Sequence, residues 1–140
     1  MLELITAGES HGPGILCVLS GFPAGFGIDF DAVRTELVRR QDCAGRGARK
    51  KIEPNKIEIL SGIRKGKTIG SPITVLIRNA DSTIDEKMPS SVPRPGHAEM
   101  PGMIRYGTLD ALDIAERASA RETAGRVAGG AICVQLLEKL

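Results

Sequence analysis

Two histidines, His11 and His97, each lie in a glycine-containing turn beside charged residues, a placement that suits proton transfer to or from a bound anion. His11 stands in Thr6-Ala7-Gly8-Glu9-Ser10-His11-Gly12-Pro13-Gly14, where a strand pattern runs into a turn bracketed by glycines. Glycines at 8, 12 and 14 would leave the ring open to close approach, as a general acid requires; a turn histidine at the surface is the other reading. His97 stands in Arg94-Pro95-Gly96-His97-Ala98-Glu99. A stiff Pro95 before a permissive Gly96 would fix where that ring points, and Arg94 and Arg105 could hold an anion beside it. A structural histidine with satisfied partners is the alternative there.

Cations gather in three places. Residues 39–51 hold six of them against one acid, Asp42, with Gly45 and Gly47 beside Arg46. Such a run is either a solvated basic loop or a cradle in which backbone amides and guanidinium groups take a phosphate. A second cluster spans residues 94–105. The third surrounds Ser119-Ala120-Arg121-Glu122, which has the spacing of a capping box, with Arg117, Arg121 and Arg126 flanking the positive end of the helix that follows. Three clusters of this kind point to one multiply charged ligand. Neither G-x-G-x-x-G nor G-x-x-x-x-G-K-[ST] occurs, and G-x-S-x-G is not matched, so dinucleotide-fold, P-loop and hydrolase-elbow readings gain no support.

Composition narrows the ligand further. The net charge of +2 is small for a partner of long polyanions, and three Phe, one Tyr and no Trp leave few platforms for stacking bases. Nucleic acid is therefore disfavoured. Twelve arginines against seven lysines favour the planar fork that grips phosphate and carboxylate. Cys17, Cys43 and Cys133 are odd in number and contain no C-x-x-C pair, which gives neither a disulfide framework nor a metal site and fits a reducing cytoplasm. No apolar run approaches a membrane span, and the opening Met1-Leu2-Glu3-Leu4 lacks a signal core.

The elements that must position these residues can be read from periodicity. Residues 2–7, 14–20, 56–60 and 73–77 have strand character, the last two forming an antiparallel pair around a turn-rich stretch. Asp29 is placed to cap a helix over residues 29–40, with Val33 and Leu37 on its apolar side. Residues 80–107 contain Pro89, Pro93, Pro95 and Pro101 and read as a long functional loop. A small-residue-rich helix over residues 120–140 should be buried on most sides. Its adjacent Gly129 and Gly130 cost about 1 kcal/mol each relative to alanine, which close approach of another helix would offset. No repeat or linker divides the 140 residues, so they are expected to form one unit without an internal boundary.

Taken together, the GESHGPG turn, the Arg39-Arg40-Gln41 and Gly45-Arg46-Gly47 cluster, ILSGIRKGKTIGSPI ending at Ile73, RPGHAE from Arg94 and ERASARETAGRVAGGAI from Glu116 resemble the chorismate synthase family. The match runs from Thr6 to about Leu137 in order. The resemblance implies an α+β fold, in which this chain would supply half of a β-α-β sandwich with antiparallel sheet packed on long helices. It implies a lyase of the shikimate pathway that converts 5-enolpyruvylshikimate 3-phosphate to chorismate by 1,4-anti elimination of phosphate, requiring reduced FMN without net oxidation. His11 would protonate the reduced flavin and His97 would serve the departing phosphate as acid. Arg117, Ala118 and Ser119 match the family's FMN-contacting segment; Arg40 and Arg46 match positions assigned to NADP contact where the enzyme reduces its own flavin with NADPH. Arg39, Arg49 and Arg121 would be substrate cations. The resemblance implies assembly as a homotetramer, the family's usual state, and the cysteine pattern with the opening residues gives a cytoplasmic location as the expectation.

The chain departs from the family pattern at Asp42-Cys43-Ala44, where a glycine and an aromatic are usual, and at Glu99, where aspartate commonly follows His-Ala. Family members are longer, so the chain is expected to be an N-terminal portion. The resemblance implies that further segments, which hold FMN and remove the proton, are to be expected outside it. The alternative reading is a catalytically inactive fragment that acts as an anion-binding or assembly module. Self-association through apolar surface, or poor order in solution, is expected of such a portion.

Overall fold

The computed structural model describes residues 1–42 and 56–140. Its centre is a four-stranded antiparallel sheet in the order β1-β2-β6-β3, made of β1 (Glu3–Ala7), β2 (Gly14–Ser20), β3 (Ile57–Ser61) and β6 (Ile73–Arg78). Strict alternation makes β2 and β6 the core strands. Ile15, Cys17 and Leu19 point to one face of β2, and their register partners Ile77, Val75 and Ile73 do the same on β6; all six are almost fully buried. A buried aliphatic side chain of this kind contributes about 1.5–3 kcal/mol, so this pair of strands anchors the fold. The turn-rich stretch between β3 and β6 folds into a small hairpin of β4 (Ile63–Arg64) and β5 (Lys67–Thr68).

Two helices cover that face. In α1 (Phe30–Gln41) the Asp29 carboxylate accepts from the N–H groups of Asp31 and Ala32 at 2.8 and 3.1 Å, while Val33 and Leu37 enter the core. The second helix, α4 (Thr123–Leu137), follows a 3-10 turn at Ala120–Glu122. The two run antiparallel and are clasped at both ends. Gln135 exchanges a pair of hydrogen bonds with the backbone of Asp29 at 2.8 and 2.9 Å, and Arg40 donates to Thr123 Oγ1 and the Ala120 carbonyl at 2.8 and 2.6 Å.

Residues expected to form one loop contain more structure. Within residues 80–107 lie a 3-10 turn at Ile84–Glu86 and α2 (Glu99–Tyr106), and α2 packs on α3 (Ala111–Arg117), which follows the expected loop. Pro101 does not disturb α2 because it lies in the first turn, where the missing N–H had no intrahelical partner. Asp110 caps α3 by accepting from Leu112 N–H at 2.9 Å.

The glycines of α4 also depart from expectation. A Cβ on Gly129 would come within 2.6 Å of Leu4 and 3.0 Å of Cys17 Sγ, so the close approach is to the sheet and not to another helix. Gly130 meets nothing within 4 Å, and α4 is buried along one face, at Ala124, Gly125, Ala128, Gly129 and Ile132, while Arg126 and Val134 are exposed. Burial raises the Cys17 thiol to about 11, helped by Cys133 nearby, which suits a packing role. Among the described residues no helix is long and apolar enough to cross a membrane.

Candidate functional site

The turn that carries His11 is built from backbone contacts. Gly8 has φ +102°, and a Cβ there would meet the Gly14 carbonyl oxygen at 2.2 Å. Glycine at 8 is thus needed to close the turn on itself, whereas clearing space around the ring was the task expected of these glycines from sequence. Three segments then fasten the turn. From α3, the Glu116 carbonyl accepts from Ser10 N–H at 3.0 Å and its carboxylate accepts from His11 N–H at 2.7 Å. From the end of β6, the Asn79 amide donates to the Glu9 and Gly12 carbonyls at 3.0 and 2.8 Å. Ile84 N–H donates to the His11 carbonyl at 3.0 Å.

Around the imidazole sit three charged groups. Glu116 oxygens lie 2.9 and 3.0 Å from Nδ1, Lys87 Nζ lies 2.6 Å from the same nitrogen, and Asp81 Oδ2 lies 3.6 Å from Nε2. Lys87 also donates to Glu116 at 2.7 Å. Glu116 is nearly buried, with 5% of its side chain exposed. Burial by itself would raise its pKa, but hydrogen bonds from Lys87 and His11 outweigh that and hold the carboxyl below its ordinary range.

The second histidine is built locally. His97 N–H donates to the Arg94 carbonyl at 3.3 Å, across Gly96 at φ +75°. Its Nδ1 is buried without a hydrogen-bond partner, though Glu99 Oε1 is 3.3 Å away in poor alignment. Glu99, at 2% exposure, is held by Arg94 through both its backbone N–H and its guanidinium, the latter at 2.5 and 2.6 Å. Hydrogen bonding from the Arg94 side chain is the main cause of its lowered pKa. Glutamate at this position is therefore long enough to reach back to Arg94 and close the turn.

These parts meet in a cleft of about 340 Å3 whose lining includes His11, Lys87, Arg94, Glu99, Glu116 and Ser119. On the other side of α3 lies a pocket of about 280 Å3, lined by Arg105, Tyr106, Ile114, Arg117 and Ala118 among others. The segment 117–119 is thus divided, Ser119 opening to the first cavity and Arg117 and Ala118 to the second. His97 lies beside Glu99 and lines neither.

The cations flanking the start of α4 have protein partners. Arg121 is buried and donates to Asn79 Oδ1 at 2.8 Å and the Arg78 carbonyl at 3.0 Å, so it reaches the His11 turn through Asn79. Arg117 donates to the Thr6 carbonyl at 2.9 Å and lies 3.6 Å from Glu122; Arg126 donates to Glu122 at 2.8 Å. Ser119 caps the 3-10 turn through Arg121 N–H at 3.4 Å, but the Glu122 carboxylate turns to Thr6, Arg126 and Arg117 instead of completing a capping box. For Glu122, burial would raise the pKa, and bonds from Thr6 and Arg126 bring it below its ordinary value. Arg39 pairs with Glu36 at 3.2 Å on the exposed side of α1, and Arg40 joins α1 to the start of α4. Arg46 and Arg49 lie outside the described residues.

Sequence reasoning did not single out Lys87, Asn79 or Glu116 as site residues. Glu116 stands within the ERASARETA stretch, three residues before Ser119, and a carboxylate one helical turn from a cap is its one available signal. Lys87 and Asn79 carry no local pattern. Among the described residues, no group of three His, Cys, Asp or Glu side chains is placed to hold a metal ion.

The family model described as chorismate synthase matches residues 2–140. The chorismate synthase of Chlorobium chlorochromatii is 50% identical over 151 aligned positions, which take in 99% of this chain and 38% of that protein. That of Clostridium tetani is 47% identical, again over 99% of this chain and 38% of the relative. A crystal structure of chorismate synthase superposes with a TM-score of 0.75 at 42% identity, covering 99% of this chain and 34% of the other. The chain therefore spans little more than a third of the length of the curated relatives it matches.

Proposed function

The chain belongs to the chorismate synthase family, and from that premise we propose that it carries part of the machinery for 1,4-anti elimination of phosphate from 5-enolpyruvylshikimate 3-phosphate, giving chorismate. The observation that supports this most is the first cleft, where His11, Ser119, Lys87 and Arg94 surround one opening. A substrate with a phosphate and two carboxylates calls for cations from separate segments, and Lys87 and Arg94 come from different turns of the chain. Arg94 is 63% exposed at its side chain, so an anion entering the cleft can share its guanidinium with Glu99. In this reading His11, on the first cleft, gives a proton towards the cofactor, and His97, held beside Glu99 outside both cavities, turns towards the departing phosphate to give one. Arg121 supports the site through Asn79, and Arg39 and Arg49 are proposed as further substrate cations.

Reduced FMN is the proposed cofactor. Arg117, Ala118 and Ser119 would hold it at the end of α3, where the second pocket adds the Arg105 guanidinium for a phosphate and apolar wall from Ala98, Pro101, Tyr106 and Ile114, and where Ser119 faces the cleft that His11 lines. When bound, the flavin would lend electron density to the substrate and recover it. Contact of NADPH with Arg40 and Arg46 is proposed for flavin reduction; at Arg40 it would compete with the bonds to Thr123 and Ala120. Cytoplasmic location and a homotetramer belong to the same proposal, and the exposed Ile5, Ile104, Tyr106 and Leu109 supply apolar surface for assembly.

The test is anaerobic chorismate formation with chemically reduced FMN, beside a full-length relative as positive control. Turnover that disappears in His11→Ala and His97→Ala supports the reading. A folded chain that binds phosphate and shows neither turnover nor flavin affinity would replace it with a noncatalytic anion-binding or assembly module.

A further inference from the structure

Lys87 lies on the segment following the 3-10 turn at Ile84–Glu86, and Ile84 N–H bonds the His11 carbonyl, so this segment is fastened to the histidine turn. We propose that Lys87 is a positioning residue for His11, its ammonium group holding the imidazole as the neutral tautomer with the proton on Nε2. The proposal rests on the proposed function for its consequence in catalysis, and on geometry for its substance.

Nδ1 has two kinds of neighbour that demand opposite states of it. If Nδ1 carried a proton it would donate to Glu116 at 2.9 to 3.0 Å, but it would then face an ammonium donor at 2.6 Å. An ammonium has three donors and no lone pair, so it cannot accept from that N–H. If Nδ1 is bare, it accepts from Lys87; its lone pair then faces the Glu116 oxygens at 2.9 and 3.0 Å, a repulsion that the ammonium bonded to both the ring and Glu116 offsets. Glu116 then accepts from Lys87 at 2.7 Å and from His11 N–H at 2.7 Å and needs nothing from the ring. The shorter contact decides for the bare Nδ1. The proton therefore belongs on Nε2, where Asp81 Oδ2 at 3.6 Å offers an acceptor carboxylate. The tautomer of a histidine is set by what its other nitrogen is bonded to, and at His11 that bond comes from Lys87.

A chemical consequence follows for an acid at this position. When the Nε2–H bond breaks and its proton passes to an acceptor, the electron pair stays on the ring. A proton moving from Lys87 Nζ to Nδ1 in the same event keeps the imidazole neutral, and Lys87 is left as an amine beside the Glu116 carboxylate. Protons and charge balance without any further reactant.

The experiment is 15N NMR of the whole 140-residue chain labelled at histidine. The chain has two histidines, and a His97→Asn variant assigns the signals. At neutral pH, His11 Nδ1 is expected at the pyridine-like end of the nitrogen range and Nε2 at the pyrrole-like end. Lys87→Met should exchange the two as Nδ1 turns its proton to Glu116, and Lys87→Arg, which retains a donor, should restore the original pattern. A wild-type spectrum with Nδ1 pyrrole-like overturns the proposal by itself, even should Lys87→Met fail to fold; so does a Lys87→Met spectrum identical to wild type. Neither flavin nor substrate enters this measurement. The expected tautomer in a chain without turnover would count against the functional reading alone, and the reverse pair of results against the role of Lys87 alone.

Discussion

His11 and His97 reach their places by different routes. The partners of His11 come from far along the chain: Glu116 is 105 residues away, Lys87 is 76, and Asn79 fixes the same turn from the end of β6. The partners of His97 lie between Arg94 and Glu99. A station assembled from several segments is only as well formed as the whole fold, whereas one made within a single turn depends on local backbone geometry. The Nδ1 atoms repeat the contrast, one crowded by a carboxylate and an ammonium, the other buried without a hydrogen bond. Orientation of His11 is thus set by directional bonds, and that of His97 by packing and by the nearby charge of Glu99.

The largest expected break in this comparison is Gly8→Ala. The residue has φ +102°, and the new Cβ would press on a backbone oxygen that cannot turn aside, so we expect a loss on the order of 3 kcal/mol or no folding. Chemical denaturation checks it, and a change below about 1 kcal/mol would show that the turn is not closed as described. Asn79→Ala should cost about 2 kcal/mol, because it leaves Arg121 Nε and two turn carbonyls without the amide that bonds them. It should also broaden or shift the His11 ring signals while leaving those of His97 in place. Equal disturbance of both histidines would erase the distinction between a distributed and a local station.

Acid sharpens the comparison from another side. Glu99, Glu116 and Glu122 are each held below the ordinary carboxylate value of 4.5 in the folded chain. The unfolded chain therefore binds protons first as pH falls, and the stability these groups contribute is present above about 4.5 and lost as pH drops through their depressed values. Glu116→Gln should flatten the acid limb of a stability-against-pH curve and disturb His11; Glu99→Gln should flatten it too and disturb only His97. Denaturation midpoints at a series of pH values decide, and an unaltered limb in both variants would remove these carboxylates from the account.

Much of this architecture can be read from the chain, and the unreadable part has a physical cause. The alternation in β2 and β6 and the Asp29 cap of α1 are local signals, and the elements fall within a residue or two of their expected bounds. The helix α2 is hidden among closely spaced prolines, whereas α3 lies beyond them and is announced by Asp110, an N-cap of the ordinary kind. Of the site, the glycine turn and both histidines stand out by residue type. Lys87 and Asn79 do not, since their importance comes from strand pairing that brings distant segments together. The arginines around the start of α4 mislead in a specific way: spacing locates positive charge at a helix start, but only packing reveals that Arg121 is committed to Asn79 and Arg126 to Glu122.

The smallest expected effect is the most direct probe of the contrast. Gly96, like Gly8, has positive φ, at +75°, and both precede a histidine. Around Gly96, however, a Cβ would find nothing within 4 Å, while at Gly8 it would strike the Gly14 carbonyl. The same substitution to alanine then separates two costs that usually arrive together. At Gly96 only the left-handed backbone is penalised, about 1 kcal/mol, and the steric collision is missing. Gly96→Ala should therefore fold, lower the denaturation midpoint slightly, and shift the ring signals of His97 without touching those of His11. A loss as large as that of Gly8→Ala would mean that the His97 turn is tied into the global fold as firmly as the other, and that its lack of a bond at Nδ1 is no guide to how it is held.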